Sequence, residues 1–194
     1  MDSNQIPIHA GLEDMPVTRA EWYVLRDLTR PNAKLPAYKK LPQLGFDTFT
    51  PMTTRVSMRQ NHRVREQVPV IHDLLFVHAT RDSLDPVIAR TDTLQYRYLK
   101  GHAYCTPMTV ADTDMHRFIT AVRATEAPRY YSPDELTPAM YGARIRMVCP
   151  GALDGIEGRL LKIRGSAKKR LLVELPGILA AAVEISNADY IRLL

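Results

Sequence analysis

From Arg144 to Ile185 the chain repeats one short pattern, and that pattern limits what this half of the molecule can become. Arg144-Ile145-Arg146-Met147-Val148, Gly158-Arg159-Leu160-Leu161-Lys162-Ile163, Leu171-Leu172-Val173-Glu174-Leu175 and Ala180 to Ile185 are separated by glycine and polar turns. Such alternation has the two-residue period of a strand, in which successive side chains point to opposite faces. Short strands at this spacing predict a small antiparallel barrel. Just upstream, Pro128, Pro133 and Pro138 stand with Glu126, Asp134 and Glu135 between Ala124 and Met140, the composition of a semi-rigid linker. The expected layout is therefore a loose leader over 1–20, a mixed α+β domain over 21–124, a linker over 125–140 and an all-β domain over 141–194.

In the first domain, Trp22-Tyr23-Val24-Leu25 reads as a buried strand. Pro31 to Leu44 carries helical spacing at Lys34, Leu35, Tyr38 and Leu41. Pro36 and Pro42 each remove a backbone donor, so a short or kinked helix closing near Gly45 is expected. Phe46 to Met52 alternates. Arg55 to Arg59 and Arg63 to Val68 then predict a two-stranded hairpin with a basic tip, turning at Gln60-Asn61. Leu74-Leu75-Phe76-Val77 is continuously apolar, as a central strand is. Asp82 or Ser83 is the expected cap of a helix bearing Leu84, Val87 and Ile88, and Tyr96 to Leu99 reads as a strand. Asp112 or Thr113 is the expected cap of a last helix, with Met115, Phe118, Ile119 and Val122 on one face.

Chemistry-bearing motifs are scarce. No GxxxxGK[ST] loop, GxGxxG fingerprint, HExxH helix or GxSxG elbow occurs. His72 and His78 flank the apolar strand, with Asp73 beside one of them, but surface or strand-end histidines explain this better than acid–base chemistry does. Cys149 has no base near it in sequence and suits a small buried hydrophobe. Asp112 and Asp114, two apart on a helix, do not face each other and fit helix capping. No enzyme activity, cofactor or metal is expected. The two cysteines, Cys105 and Cys149, make no CxxC pair and no disulfide framework, which points to the cytoplasm. The most apolar stretch, Leu171 to Ile185, is interrupted by Glu174, Pro176, Gly177 and Glu184, so no membrane span is expected. A formal charge of +5 favours polyanionic surroundings.

Val148-Cys149-Pro150-Gly151-Ala152-Leu153-Asp154-Gly155-Ile156-Glu157-Gly158-Arg159-Leu160 resembles a KOW motif, the strand–loop–strand unit of NusG factors and some ribosomal proteins. Trp22-Tyr23, Phe49-Thr50-Pro51-Met52 and Leu75-Phe76-Val77, in their order of strands and helices, resemble the NusG N-terminal domain. Together the likeness spans roughly residues 21–194. The tract Val68 to Val77 looks like UpxY-type antiterminators of capsule polysaccharide operons.

The resemblance implies a NusG N-terminal α/β sandwich with an antiparallel sheet, followed by an SH3-like KOW barrel. It implies a monomeric transcription elongation or antitermination factor that docks on the β′ clamp helices of RNA polymerase and reaches towards the β gate loop. The docking positions fall on Ile71, Leu74, Phe76, Met115 and Phe118, which as apolar residues equally suit a core. The gate-loop contact falls on Ser83, Leu84 and Asp85. Arg30 and Arg90 sit where relatives approach the non-template DNA strand, and Arg55, Arg59, Arg63 and Arg65 of the hairpin carry charge suited to nucleic acid. The KOW domain's partner would be ribosomal protein S10 or Rho; in one specialised paralog that domain refolds to helices that mask the docking face. The alternative function is an RNA- or ribosome-binding protein in which KOW does the work.

Overall fold

The structure, a computed structural model, describes residues 19–31, 33–99, 106–186 and 190–194. Cys105 and nearly all of the expected leader lie outside the described residues. In chain order the elements are β1 (Glu21–Asp27), α1 (Ala37–Gln43), β2 (Asp47–Phe49), β3 (Met52–Arg59), β4 (His62–Pro69), β5 (Leu74–Ala79), α2 (Arg81–Ala89), β6 (Leu94–Tyr96), β7 (Thr109–Val110) and α3 (Asp112–Arg123). After these come β8 (Arg129–Tyr131), β9 (Tyr141–Val148), β10 (Glu157–Leu161), β11 (Arg170–Leu175), β12 (Leu179–Glu184) and β13 (Tyr190–Leu193).

The N-terminal sheet runs β2-β5-β1-β6, with β7 also paired to β1, and its pairings are antiparallel. Strand alternation sorts its side chains cleanly between two cores. Tyr23, Leu25, Leu75, Val77 and Ala79 meet Leu41 of α1 and Leu84 of α2. Trp22, Val24, Leu74 and Phe76 point the other way, to α3. The hairpin β3–β4 stands apart as a two-stranded sheet. Its turn residues Gln60 and Asn61 both have positive φ, 48° and 65°, as a type I′ turn requires.

The C-terminal strands form one antiparallel sheet, β13-β9-β10-β11-β12-β8. Pairing runs as an open path from β13 to β8, without the ring closure expected of a barrel among the described residues. Alternation again divides the side chains: Leu171, Val173, Leu175, Leu179, Ala181 and Val183 face inward, and Leu172, Ala180 and Ala182 face outward. Pro176 and Gly177 (φ +72°) occupy the centre of the turn between β11 and β12, where Ile178 N donates to Leu175 O. That is the residue pair a type II turn selects. Gly158 is required for another reason, since a Cβ there would lie 2.4 Å from the Leu172 carbonyl oxygen.

Several expectations are corrected. Thr80, not Asp82 or Ser83, caps α2: its hydroxyl accepts from Ser83 N at 3.3 Å. The N-cap of α3 is Ala111, and Asp112 and Asp114 lie within the first turn, where carboxylates complement the positive end of the helix dipole. The expected strand Tyr96 to Leu99 is β6, two residues earlier. The stretch 125–140, expected as a linker, contains β8, which extends the sheet beside β12, and two 3₁₀ turns at 133–135 and 138–140. Leu136 and Met140 from those turns pack on the outer face at Leu161, Leu172 and Ala182.

Candidate functional site

The apolar residues singled out by resemblance are brought together. Strand alternation puts Leu74 and Phe76 on one face of β5, and helical spacing puts Met115, Phe118 and Ala121 on the facing side of α3. Phe49 bridges them, its ring 6.3 Å from Phe76 and 6.1 Å from Phe118, edge-on to the latter. Ile71, half-buried, packs at the margin and accepts a hydrogen bond from Leu74 N. None of this makes an exposed patch. Leu74, Phe76, Met115 and Phe118 are no more than 1% exposed. The same core includes Ile145, Met147, Leu171, Val173, Ala181 and Val183. Helix α3 is thus held between the two sheets, closest to β11 and β12.

A polar seam edges this contact. Between α3 and the C-terminal sheet lies a cleft of about 230 Å³, bordered by Asp114, Arg117, Arg144, Glu157, Arg159 and Glu174. Arg117 pairs with Asp114 within α3, and Arg146 Nε donates to Glu157 at 3.0 Å. That hydrogen bond from Arg146 holds the Glu157 carboxyl below its usual range, with Arg117 and Arg144 adding to the effect. Charge from α3 is therefore felt on β10, across the seam.

The gate-loop set is dispersed by burial. Leu84 is fully buried, and Ser83 is engaged with Thr80. Asp85 accepts from Arg81 Nε at 2.9 Å and from the Tyr96 hydroxyl at 2.7 Å, while the Arg81 guanidinium lies 5.0 Å from the Tyr96 ring centre. The Arg81 hydrogen bond holds the Asp85 carboxyl low, and burial pushes the Tyr96 phenol well above its usual range. Burial, with Glu21 beside it, also pushes Tyr23 up to about 12.

Arg30 and Arg90 are both exposed, on loops that adjoin through Leu28 N donating to Thr93 O at 2.7 Å. Asp27, which sequence reasoning missed, orders the first of these loops. It is 4% exposed and accepts from Thr29 N at 3.0 Å, from the Thr29 hydroxyl, and from Ala37 N at 2.7 Å at the start of α1. Asp27→Ala should lower stability by about 2 kcal/mol, the scale of a charged hydrogen bond plus a stranded buried donor. In a chain of this size that is a fall in Tm of roughly 4–8 °C by calorimetry, with Asp27→Asn intermediate.

On the hairpin, Arg55 and Arg59 each lie 3.5 Å from Glu66. Arg63 and Arg65 pair in register with Met58 and Val56, both exposed, on the opposite face. The histidines do not converge: His72 is exposed, whereas His78 stacks on Trp22 at 5.1 Å with its Nε2 3.6 Å from Asp112. Asp73 instead joins Arg26 and Arg97, at 3.2 and 3.1 Å. Cys149, expected to be buried, is half-buried at the edge of the main core. Among the described residues, no group of three His, Cys, Asp or Glu side chains could hold a metal ion, and no helix is long and apolar enough to cross a membrane.

Residues 20–119 match the family model described as transcription termination factor NusG. The chain belongs to the NusG family. Members are transcription factors rather than enzymes, and they generally bind RNA polymerase. No curated protein matches the chain. The NusG match holds β1 to β7 and most of α3, and so contains Ile71, Leu74, Phe76, Met115 and Phe118. The strands that cover the buried face, β9 to β12, lie beyond it.

Proposed function

We propose that this NusG-family protein is an elongation and antitermination factor that docks on the β′ clamp helices of RNA polymerase through Ile71, Leu74, Phe76, Met115 and Phe118. In this reading residues 21–124 form the polymerase-binding domain and 141–194 a KOW domain that covers the docking face until it is displaced. One observation carries the proposal: a continuous apolar face of the NusG-matched segment is buried by strands from outside that segment. Uncovered, it becomes the large apolar surface that marks a protein-binding site. Docking there, with Ser83 and Asp85 towards the β gate loop, would hold the polymerase clamp closed and suppress pausing. Arg30 and Arg90, exposed on adjoining loops, suit the phosphates of the non-template DNA strand; on the separate hairpin, Arg59 and Arg63 stand on opposite faces and add charge suited to nucleic acid. The tract Val68 to Val77 supports capsule polysaccharide operons as the targets. Once released, the KOW domain would be free to meet ribosomal protein S10 or Rho.

Ile71 gives the direct test, because it is half-buried at the margin and tolerates change better than its neighbours. Ile71→Asp should weaken binding of the full chain to core polymerase about 10-fold, near 1.4 kcal/mol, with an unchanged circular dichroism spectrum. Antipausing activity on a template with a defined pause should fall in parallel. Undiminished polymerase binding by a folded Ile71→Asp protein would remove this residue from the docking face.

A further inference from the structure

The outer side of the C-terminal sheet carries a second surface, separate from the docking face. Between the 3₁₀ turn at 138–140, the start of β9 and the loop after β10 lies a groove of about 890 Å³. It is a built feature of the sheet. The β9–β10 register shifts between Arg159 and Leu161, and Gly142 sits so close to β10 that a Cβ would lie 2.7 Å from the Leu160 carbonyl oxygen. Bulges of this kind interrupt pairing and re-aim side chains. Lys162 N donates to Met140 O at 2.8 Å, pinning the turn to the end of β10.

Its lining has two parts. Met140, Leu161 and Ile163 make an apolar floor. Lys162, Arg164 and Lys169 are exposed at the rim, and no ion pair engages them among the described residues. Lys168 also lines the groove and is held by Glu184 at 2.8 Å. Among the described residues no carboxylate lines it. Glu135, two positions before Thr137 of the lining, accepts from Ser132 N at 2.7 Å.

We propose that this groove docks an acidic peptide segment with spaced apolar side chains, contributed by a partner protein. The rim supplies charge complementarity, which sets approach and orientation, and the floor takes the apolar side chains. A single-stranded nucleic acid fits less well, because such sites stack bases on aromatic side chains and no aromatic among the described residues lines this groove. The surface lies opposite the face that packs on α3, so this inference stands independently of polymerase docking.

The test is fluorescence anisotropy on the full chain. The probe is a labelled peptide of about twelve residues, glutamates with leucine at every third position. Oligoglutamate and oligouridylate of equal length serve as comparators. Saturable binding of the leucine-containing probe, stronger than either comparator and weakened by added salt, is expected. The double change Lys162→Glu with Lys169→Glu should weaken it by about 10-fold or more, and Ile163→Ser by about 3-fold. These positions are exposed or half-buried, and unchanged melting curves would confirm intact folding. Absence of saturation overturns the proposal. So does equal binding of oligoglutamate, or tighter binding of oligouridylate, either of which would make the groove a general polyanion site.

Discussion

A chain ending at residue 125 should bind an isolated β′ clamp-helix fragment on the order of 100-fold more tightly than the full chain does. In the full chain the face formed by Leu74, Phe76, Met115 and Phe118 is sealed by apolar side chains of β9, β11 and β12. Any protein that docks there binds only molecules in which the cover has lifted, so apparent affinity falls by the open fraction. A closed state favoured by about 2.7 kcal/mol leaves roughly one molecule in a hundred open. That is a modest demand. Fully burying one leucine or phenylalanine is worth about 1.5–3 kcal/mol, and several side chains meet across this contact. Ending the chain at residue 125 leaves α3 whole, since its C-cap is Ala124. Titration calorimetry with both lengths decides the matter. Equal affinity would show that the C-terminal sheet does not compete for the face. Binding by neither would reject clamp-helix docking through these residues.

Much of this arrangement is legible in the order of residues alone. The two-residue period of β11 and β12 and the hairpin turn at Gln60-Asn61 depend on local rules, and both appear as expected. The helical face of Met115 and Phe118 is likewise plain. What it packs against is not, because apolar periodicity states that a face is buried and never by which segment. Every second residue of β11 faces α3, a contact between segments some fifty positions apart that no local pattern encodes. The proline-rich stretch 125–140 misleads for a related reason. Proline is compatible with a 3₁₀ turn, which Pro133 and Pro138 each open, and Pro128 lies just before the short edge strand β8 without interrupting it. Asp27 escapes notice because a single acid ending a strand looks like a surface residue; only its three donors, on Thr29 and Ala37, explain its burial. At α2, Asp82 and Ser83 are good capping residues in the wrong frame, and Thr80, on the extended backbone before the first turn, has the geometry.

Phe118→Ala should separate the two roles of the buried face, because its cost depends on what is packed there. In the full chain Phe118 is fully buried, with Phe49 edge-on to it and the C-terminal sheet in the same core. Truncating such a phenylalanine costs about 3–5 kcal/mol through lost transfer energy and the cavity left behind. Against a total stability of about 5–15 kcal/mol that is a large fraction. In a chain ending at residue 125 the same side chain keeps Phe49 and the N-terminal sheet but loses its cover. Less area leaves water on folding, and the cavity opens to solvent instead of staying empty. The cost there should be about 1–2 kcal/mol. Urea denaturation of the four proteins, both lengths with and without the change, closes a double-mutant cycle, and the expected coupling is roughly 2 kcal/mol. A coupling near zero would mean that the C-terminal sheet adds nothing to the burial of Phe118, and the idea of a cover that competes with polymerase would fall with it. A coupling of the expected size fixes how much a docking partner must recover through Phe118 before the sheet can be displaced.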